Sequence, residues 1–178
     1  IRFIDFEYPE KNEFLVVNQF WVKGPSETDR LDIIIFINGI PLLVIECKSP
    51  VAKLTGLSKA LTQLIRYKNE IPQLFHTNQF LVGLNLFCAK YGSIGAEPEQ
   101  FHEWKDRNGE KLSNMADHPS VKEMLESGLI KKEDLSDKPT AQEVMIAGAL
   151  NKKNLLDIIR NFIVYEYDRG RIIKKICR

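Results

Sequence analysis

The sequence predicts an α/β fold in which a mixed β-sheet is flanked by helices. Three observations predict it. Two apolar, β-branched runs, 31–37 and 40–47, meet at Asn38-Gly39, the signature of an antiparallel hairpin. A stripe of Leu57, Ala60, Leu61, Leu64 and Ile65 at helical spacing follows them. A further apolar run, 79–90, comes after that helix. A helical crossover returns a parallel strand, so the hairpin and the crossover together require a mixed sheet.

The elements follow in chain order. Residues 13–23, rich in valine and aromatics, form the first strand. Gly24-Pro25-Ser26 breaks it, and the polar stretch to Arg30 is expected to be a loop. The runs 31–37 and 40–47 are too uniformly apolar to face water on either side, which places them at the centre of the sheet. Ser49-Pro50 stops the second of them, since proline cannot donate to a ladder. The helix is expected over 57–69, one strand region over 79–90, and loops with short surface helices over 98–138. Leu155, Leu156, Ile159, Phe162 and Ile163 predict a last helix over 153–165, before a basic and apolar end.

The bulk properties exclude more than they assign. A chain of 178 residues is long enough for one domain with its own core. A formal charge of +1 removes any global basic field of the kind a stand-alone nucleic-acid binder carries. Three cysteines, Cys47, Cys88 and Cys177, fit neither a zinc site nor a disulfide framework, so a reducing cytoplasm is expected. No apolar run reaches membrane-spanning length and no signal peptide is visible, so no membrane partner is expected. The chain begins at Ile1 rather than methionine, as expected of a fragment.

The chemistry concentrates in the hairpin, which reads Asp32-x13-Glu46-Cys47-Lys48. A core strand does not normally carry three charges, because unpaired buried charge is costly. Glu46 and Lys48 are two apart and share a face. Whether Asp32 joins them depends on the turn. A two-residue loop at Asn38-Gly39 pairs Asp32 with Ile45 and sends it to the wrong face. A three-residue loop, with Gly39 in a G1 bulge, pairs Asp32 with Val44 and makes the three charges converge. The expectation is the second register, or an equivalent one-residue bulge.

Two carboxylates are hard oxygen ligands of the kind that hold Mg²⁺ on a phosphate ester. Asp32, Glu46 and the backbone carbonyl of Cys47 are the candidate metal ligands, and Lys48 would position the attacking water and steady the transition state. The competing reading is an ordinary ion pair at exposed strand ends. Gln63 and Tyr67, four apart on one face of the following helix, can wall the same site. Their competing reading is a solvated glutamine and a core-edge tyrosine.

Asp32, Glu46-x-Lys48 and Gln63-x-x-x-Tyr67, taken in order, resemble the PD-(D/E)xK nuclease superfamily in its RecB-like branch. Asn18-Gln19-Phe20, Asn38-Gly39-Ile40-Pro41-Leu42, Val44-Ile45-Glu46-Cys47-Lys48-Ser49-Pro50, Ile71-Pro72-Gln73-Leu74-Phe75, Tyr91-Gly92-Ser93 and Phe101-His102-Glu103-Trp104-Lys105 narrow the match. They are similar to the amino-terminal nuclease domain of type I restriction enzyme R subunits. That resemblance implies a restriction-endonuclease-like sheet, with Asp32, Glu46, Lys48, Gln63 and Tyr67 as catalytic residues and Mg²⁺ as cofactor. It also implies a nuclease domain over 1–150 and a helical connector over 151–178 toward an ATP-driven motor outside this chain, where any ATP would bind.

The implied partners are double-stranded DNA and the methyltransferase and specificity subunits, in a prokaryotic cytoplasm. Lys53, Lys59 and Lys68 are candidate phosphate contacts. Three departures stand out: Leu31 replaces the superfamily's proline, Leu84-Asn85-Leu86 stands where Ser-Asp-Gly is expected, and the family's upstream helix is expected to precede Ile1, outside this fragment. The alternatives are a catalytically silent docking module of the same assembly and a RecB-like nuclease of DNA repair.

Overall fold

A computed structural model describes residues 3–105, 114–168 and 171–177. Five strands form one sheet in sequence order: β1 (Phe14–Lys23), β2 (Thr28–Ile37), β3 (Ile40–Cys47), β4 (Phe80–Leu84) and β5 (Ala89–Gly92). β1, β2 and β3 pair antiparallel, β3 and β4 parallel, and β4 and β5 antiparallel. Helix α1 (Lys53–Glu70) makes the crossover between β3 and β4. The mixed sheet inferred from the sequence is the one observed.

Both faces of the central strands are buried, as their unbroken apolar runs require. α1 covers one face, where Leu57, Leu61, Leu64 and Tyr67 pack on Leu31, Ile34, Val44 and Leu81. The other face is covered by α3 (Ala141–Ala147) and α4 (Lys152–Asp157), which bring Met145, Leu155 and Leu156 onto Ile35, Leu43, Ile45 and Val82. α2 (Pro119–Glu126) sits over a small separate cluster of Met115, Val121 and Ala147. The approach of α1 to the sheet is close at Gly83, where a β-carbon would lie 2.7 Å from Leu61 Cδ2. That proximity lets α1 side chains reach the end of β3.

Four expectations are corrected. β2 starts at Thr28, so the loop after Gly24 is shorter than its polarity suggested. The turn is the two-residue Asn38-Gly39 type, both residues at positive φ (50° and 78°), with Ile37 opposite Ile40. The run 79–90 is two strands: Asn85 Oδ1 accepts from the N–H groups of Phe87 and Cys88, which turns the chain between β4 and β5. Thus Asn85, a departure in the sequence motif, holds a turn.

The fourth correction concerns the last helix. α4 passes into one π-helical turn (Ile158–Phe162) and then into β6 (Ile163–Asp168), which pairs with β7 (Arg171–Ile176). The apolar stripe at 155–163 is real, but its last member, Ile163, packs from a strand. This two-stranded hairpin is held to the main sheet domain by Lys174, whose buried ammonium donates to the carbonyls of Phe75, His76 and Asn78 at 3.3, 3.0 and 2.6 Å. Tyr165 adds a bond to Gln79 Oε1 at 2.6 Å, and Ser93 donates to the Lys174 carbonyl.

Candidate active site

The hairpin register decides whether the three charges meet. With a two-residue turn and no irregularity, Asp32 would face Ile45. The ladder instead runs Phe36 to Pro41 and then Ile35 to Leu43, leaving Leu42 as one extra residue. The bulge therefore lies within β3 rather than at the turn. It ends in Ile33 opposite Ile45, so the next step sets Asp32 beside Glu46. The expected equivalent bulge is present, and the three-residue loop is not.

Asp32 ends the β2–β3 ladder with its side chain: Oδ2 accepts from the Cys47 N–H at 2.9 Å. In a strand a residue's N–H and C=O point to the same side, so the Cys47 carbonyl also faces the Asp32 side. Glu46 is 1% exposed. Its carboxylate is held by two donors, Lys48 Nζ to Oε1 at 2.5 Å and Tyr67 OH to Oε2 at 3.2 Å. Gln63 links those two donors. Its Oε1 accepts from Lys48 Nζ at 2.8 Å, and its Nε2 donates to the Tyr67 hydroxyl at 2.5 Å. Glu46, Lys48, Gln63 and Tyr67 thus form a closed ring of hydrogen bonds joining β3 to α1.

The electrostatics match this geometry. Burial raises the Glu46 carboxyl above its usual range, with Asp32 adding to the rise and Lys48 and the Tyr67 hydroxyl opposing it. Burial, with Glu46 and Asp32 behind it, holds the Tyr67 hydroxyl well above its usual range, so it stays a donor at neutral pH. Burial beside Asp32 and Glu46 pushes the Cys47 thiol up to about 11, which makes its sulfur inert there. Two carboxylates that repel each other beside an inward carbonyl are a donor set that a hard divalent cation fits. Arg66, one residue before Tyr67, lies 3.0 Å from Glu70 and 3.7 Å from Asp29, tying the end of α1 to β2.

Residues 1–100 match the family model described as the N terminus of the type I restriction enzyme R protein. The chain belongs to that family. It is 34% identical over 179 residues to the type I restriction enzyme HindI endonuclease subunit of Haemophilus influenzae, covering 99% of this chain and 15% of that protein. It is also 34% identical over 150 residues to the putative type I restriction enzyme MjaIXP endonuclease subunit of Methanocaldococcus jannaschii, covering 75% of this chain and 14% of that one. The putative MjaVIIIP endonuclease subunit of the same organism is 29% identical over 182 residues. The chain therefore spans about a seventh of the length of these relatives.

The five candidates chosen from the sequence stand together in this R-subunit domain: four in the ring and Asp32 beside it. Lys59 and Lys68 are exposed on α1 but bond to no site residue among the described contacts, and the Lys53 side chain lies outside the described residues. Asp29 is buried and half of Arg66 is exposed, a pairing that the sequence did not announce. Gln19 was also missed as a site residue. Its Nε2 donates to Asp32 Oδ1 at 3.4 Å, from a backbone with φ of 52°. The signal was the polar Asn18-Gln19 pair interrupting a strand of valines and aromatics. No helix among the described residues is long and apolar enough to cross a membrane.

Proposed function

We propose that this R-subunit domain is a Mg²⁺-dependent endonuclease of the PD-(D/E)xK type that hydrolyses DNA phosphodiester bonds. The observation that carries the reading is the closed ring from Glu46 through Lys48, Gln63 and Tyr67, set beside Asp32. A surface ion pair needs no such support. A buried carboxylate held by two side chains that a third links is a preorganised site.

Asp32, Glu46 and the Cys47 carbonyl would hold the cation, which supplies charge neutralisation and a more acidic bound water. Tyr67 keeps one Glu46 oxygen oriented. Gln63 holds the Lys48 ammonium at the mouth of the site, where its 24% exposure leaves it open to a phosphate oxygen or to the attacking water. Sequence recognition, ATP hydrolysis and DNA translocation would belong to other subunits and to the remainder of the R subunit, with residues 151–178 leading toward it.

The catalytically silent docking module is disfavoured by the same ring, since docking needs no buried carboxylate. A repair nuclease is disfavoured by the family. In the assembled complex with ATP and Mg²⁺, Asp32→Ala, Glu46→Ala and Lys48→Ala are each expected to abolish double-strand cleavage while ATP hydrolysis continues. Cleavage by all three at the parent rate defeats the reading.

A further inference from the structure

We infer that Gln19 positions Asp32 for a divalent cation, and that the left-handed backbone of Gln19 is the means by which it does so. The inference rests on the nuclease reading above and extends it to a residue on another strand. β1 and β2 keep one register on either side of this point, with Asn18 opposite Ile33 and Phe20 opposite Leu31. Gln19 stands opposite Asp32 and drops out of the ladder.

Among the described residues, Gln19 and Asn38 are the non-glycine positions with positive φ. Asn38 has an evident reason, because it sits in a two-residue hairpin turn and asparagine tolerates that region. Gln19 lies in mid-strand and has no turn to make. Backbone strain of this kind persists where the surroundings over-determine it, and it concentrates at functional sites.

The consequence can be read from the packing. Val17, Phe20 and Val22 all lie against the cluster under α1, although a strict period of two would put Val17 and Phe20 on opposite faces. On the facing strand Leu31 and Ile34 share that cluster too. Both strands therefore reset their alternation at the Gln19 and Asp32 pair. The reset brings the Gln19 amide onto Asp32 Oδ1 while the Cys47 N–H holds Oδ2. With both oxygens held, the carboxylate plane is fixed next to Glu46.

The residue type fits this task. A lysine or arginine would neutralise Asp32, and a carboxylate would repel it. A neutral amide orients Asp32 and leaves its full charge for the cation.

The test uses the full-length subunit without nucleotide, with Mn²⁺ binding followed by calorimetry, and then the assembled complex with Mg²⁺-dependent cleavage. Gln19→Gly accepts the positive φ and removes the exposed side chain whose amide meets Asp32. Its melting temperature should be retained, its Mn²⁺ affinity should fall ten- to a hundredfold, about the loss seen when a ligand's supporting partner is removed, and its Mg²⁺ half-saturation should rise by the same factor. The maximal cleavage rate should return at saturating Mg²⁺. Gln19→Asn, which keeps an amide on a shorter stem, should lose less.

Unchanged Mn²⁺ affinity in Gln19→Gly overturns the inference. So does a loss of affinity that merely tracks a loss of melting temperature across both variants, because that marks a bulge with a purely structural role. Asp32→Ala separates the two levels: if it binds Mn²⁺ as the parent does, the cation reading itself has failed, whatever Gln19 does.

Discussion

Lys48→Met is expected to abolish DNA cleavage in the assembled complex and also to destabilise the domain by about 3 kcal/mol at neutral pH. Both effects have one cause. Glu46 is almost fully buried, and Lys48 is the cation 2.5 Å from it. Removing the ammonium leaves a buried carboxylate with the Tyr67 hydroxyl as its remaining donor among the described contacts, and with Asp32 still repelling it. Protonation of Glu46 limits the loss, because its carboxyl is already raised. The double variant Lys48→Met with Glu46→Gln removes the charge and its partner together, so denaturant melts should show most of the stability restored while cleavage stays absent. If the double variant is no more stable than Lys48→Met alone, the account of the ring as a buried charge pair is wrong.

Lys174→Met is the second large effect, and it reports on the hairpin rather than on the site. The substitution keeps the apolar stem and deletes three bonds to the carbonyls of Phe75, His76 and Asn78. Stranding those carbonyls beside an apolar group should cost about 3 kcal/mol in denaturant melts of this chain. It should also raise hydrogen exchange in β6 and β7 before it does so in the main sheet.

Burial pulls the Lys174 ammonium from 10.5 down to about 8. Between those two values the unfolded chain binds more protons than the folded one, so stability attributable to Lys174 rises with pH across that window. Below pH 8 both states are protonated and the slope vanishes. A parent protein whose stability gains nothing over Lys174→Met between pH 8 and 10.5 would contradict this assignment.

Much of the frame was legible because it rests on local rules. Asn38-Gly39 between apolar runs specified the hairpin, the stripe from Leu57 to Ile65 specified the crossover helix, and their order specified the mixed sheet. Helical spacing alone put Gln63 and Tyr67 on one face of α1, and the fold carried that face over Glu46. The position of the bulge was not legible. A one-residue excess absorbed at Gly39 pairs Asp32 with Val44, and one absorbed at Leu42 sets it beside Glu46; both put the two carboxylates on one face, and the joint packing of Leu42 and Leu43 in one core cluster marks the second.

The end of the last helix failed for a related reason. Ile163, Val164 and Tyr165 suit a strand by their branched and aromatic side chains, but Ile163 also completes a helical stripe, and only pairing with β7 resolves the conflict. Lys174 was hidden because a buried lysine bound by carbonyls leaves no charged partner to find in the sequence. The polar Asn18-Gln19 pair marked the place of Gln19, but its positive φ was hidden, because outside glycine and turns that conformation has no pattern.

Plasmid cleavage by the assembled complex carrying Glu46→Gln tests whether the buried carboxylate belongs to a cutting centre. This exchange keeps the size of the side chain and its ability to hydrogen-bond, and it removes one negative charge from the centre of the ring. With ATP hydrolysis intact, circular DNA should stay uncut, at least about a thousandfold below the parent rate. Linear product at the parent rate would contradict the assignment of Glu46, Asp32 and Lys48 as the cutting centre.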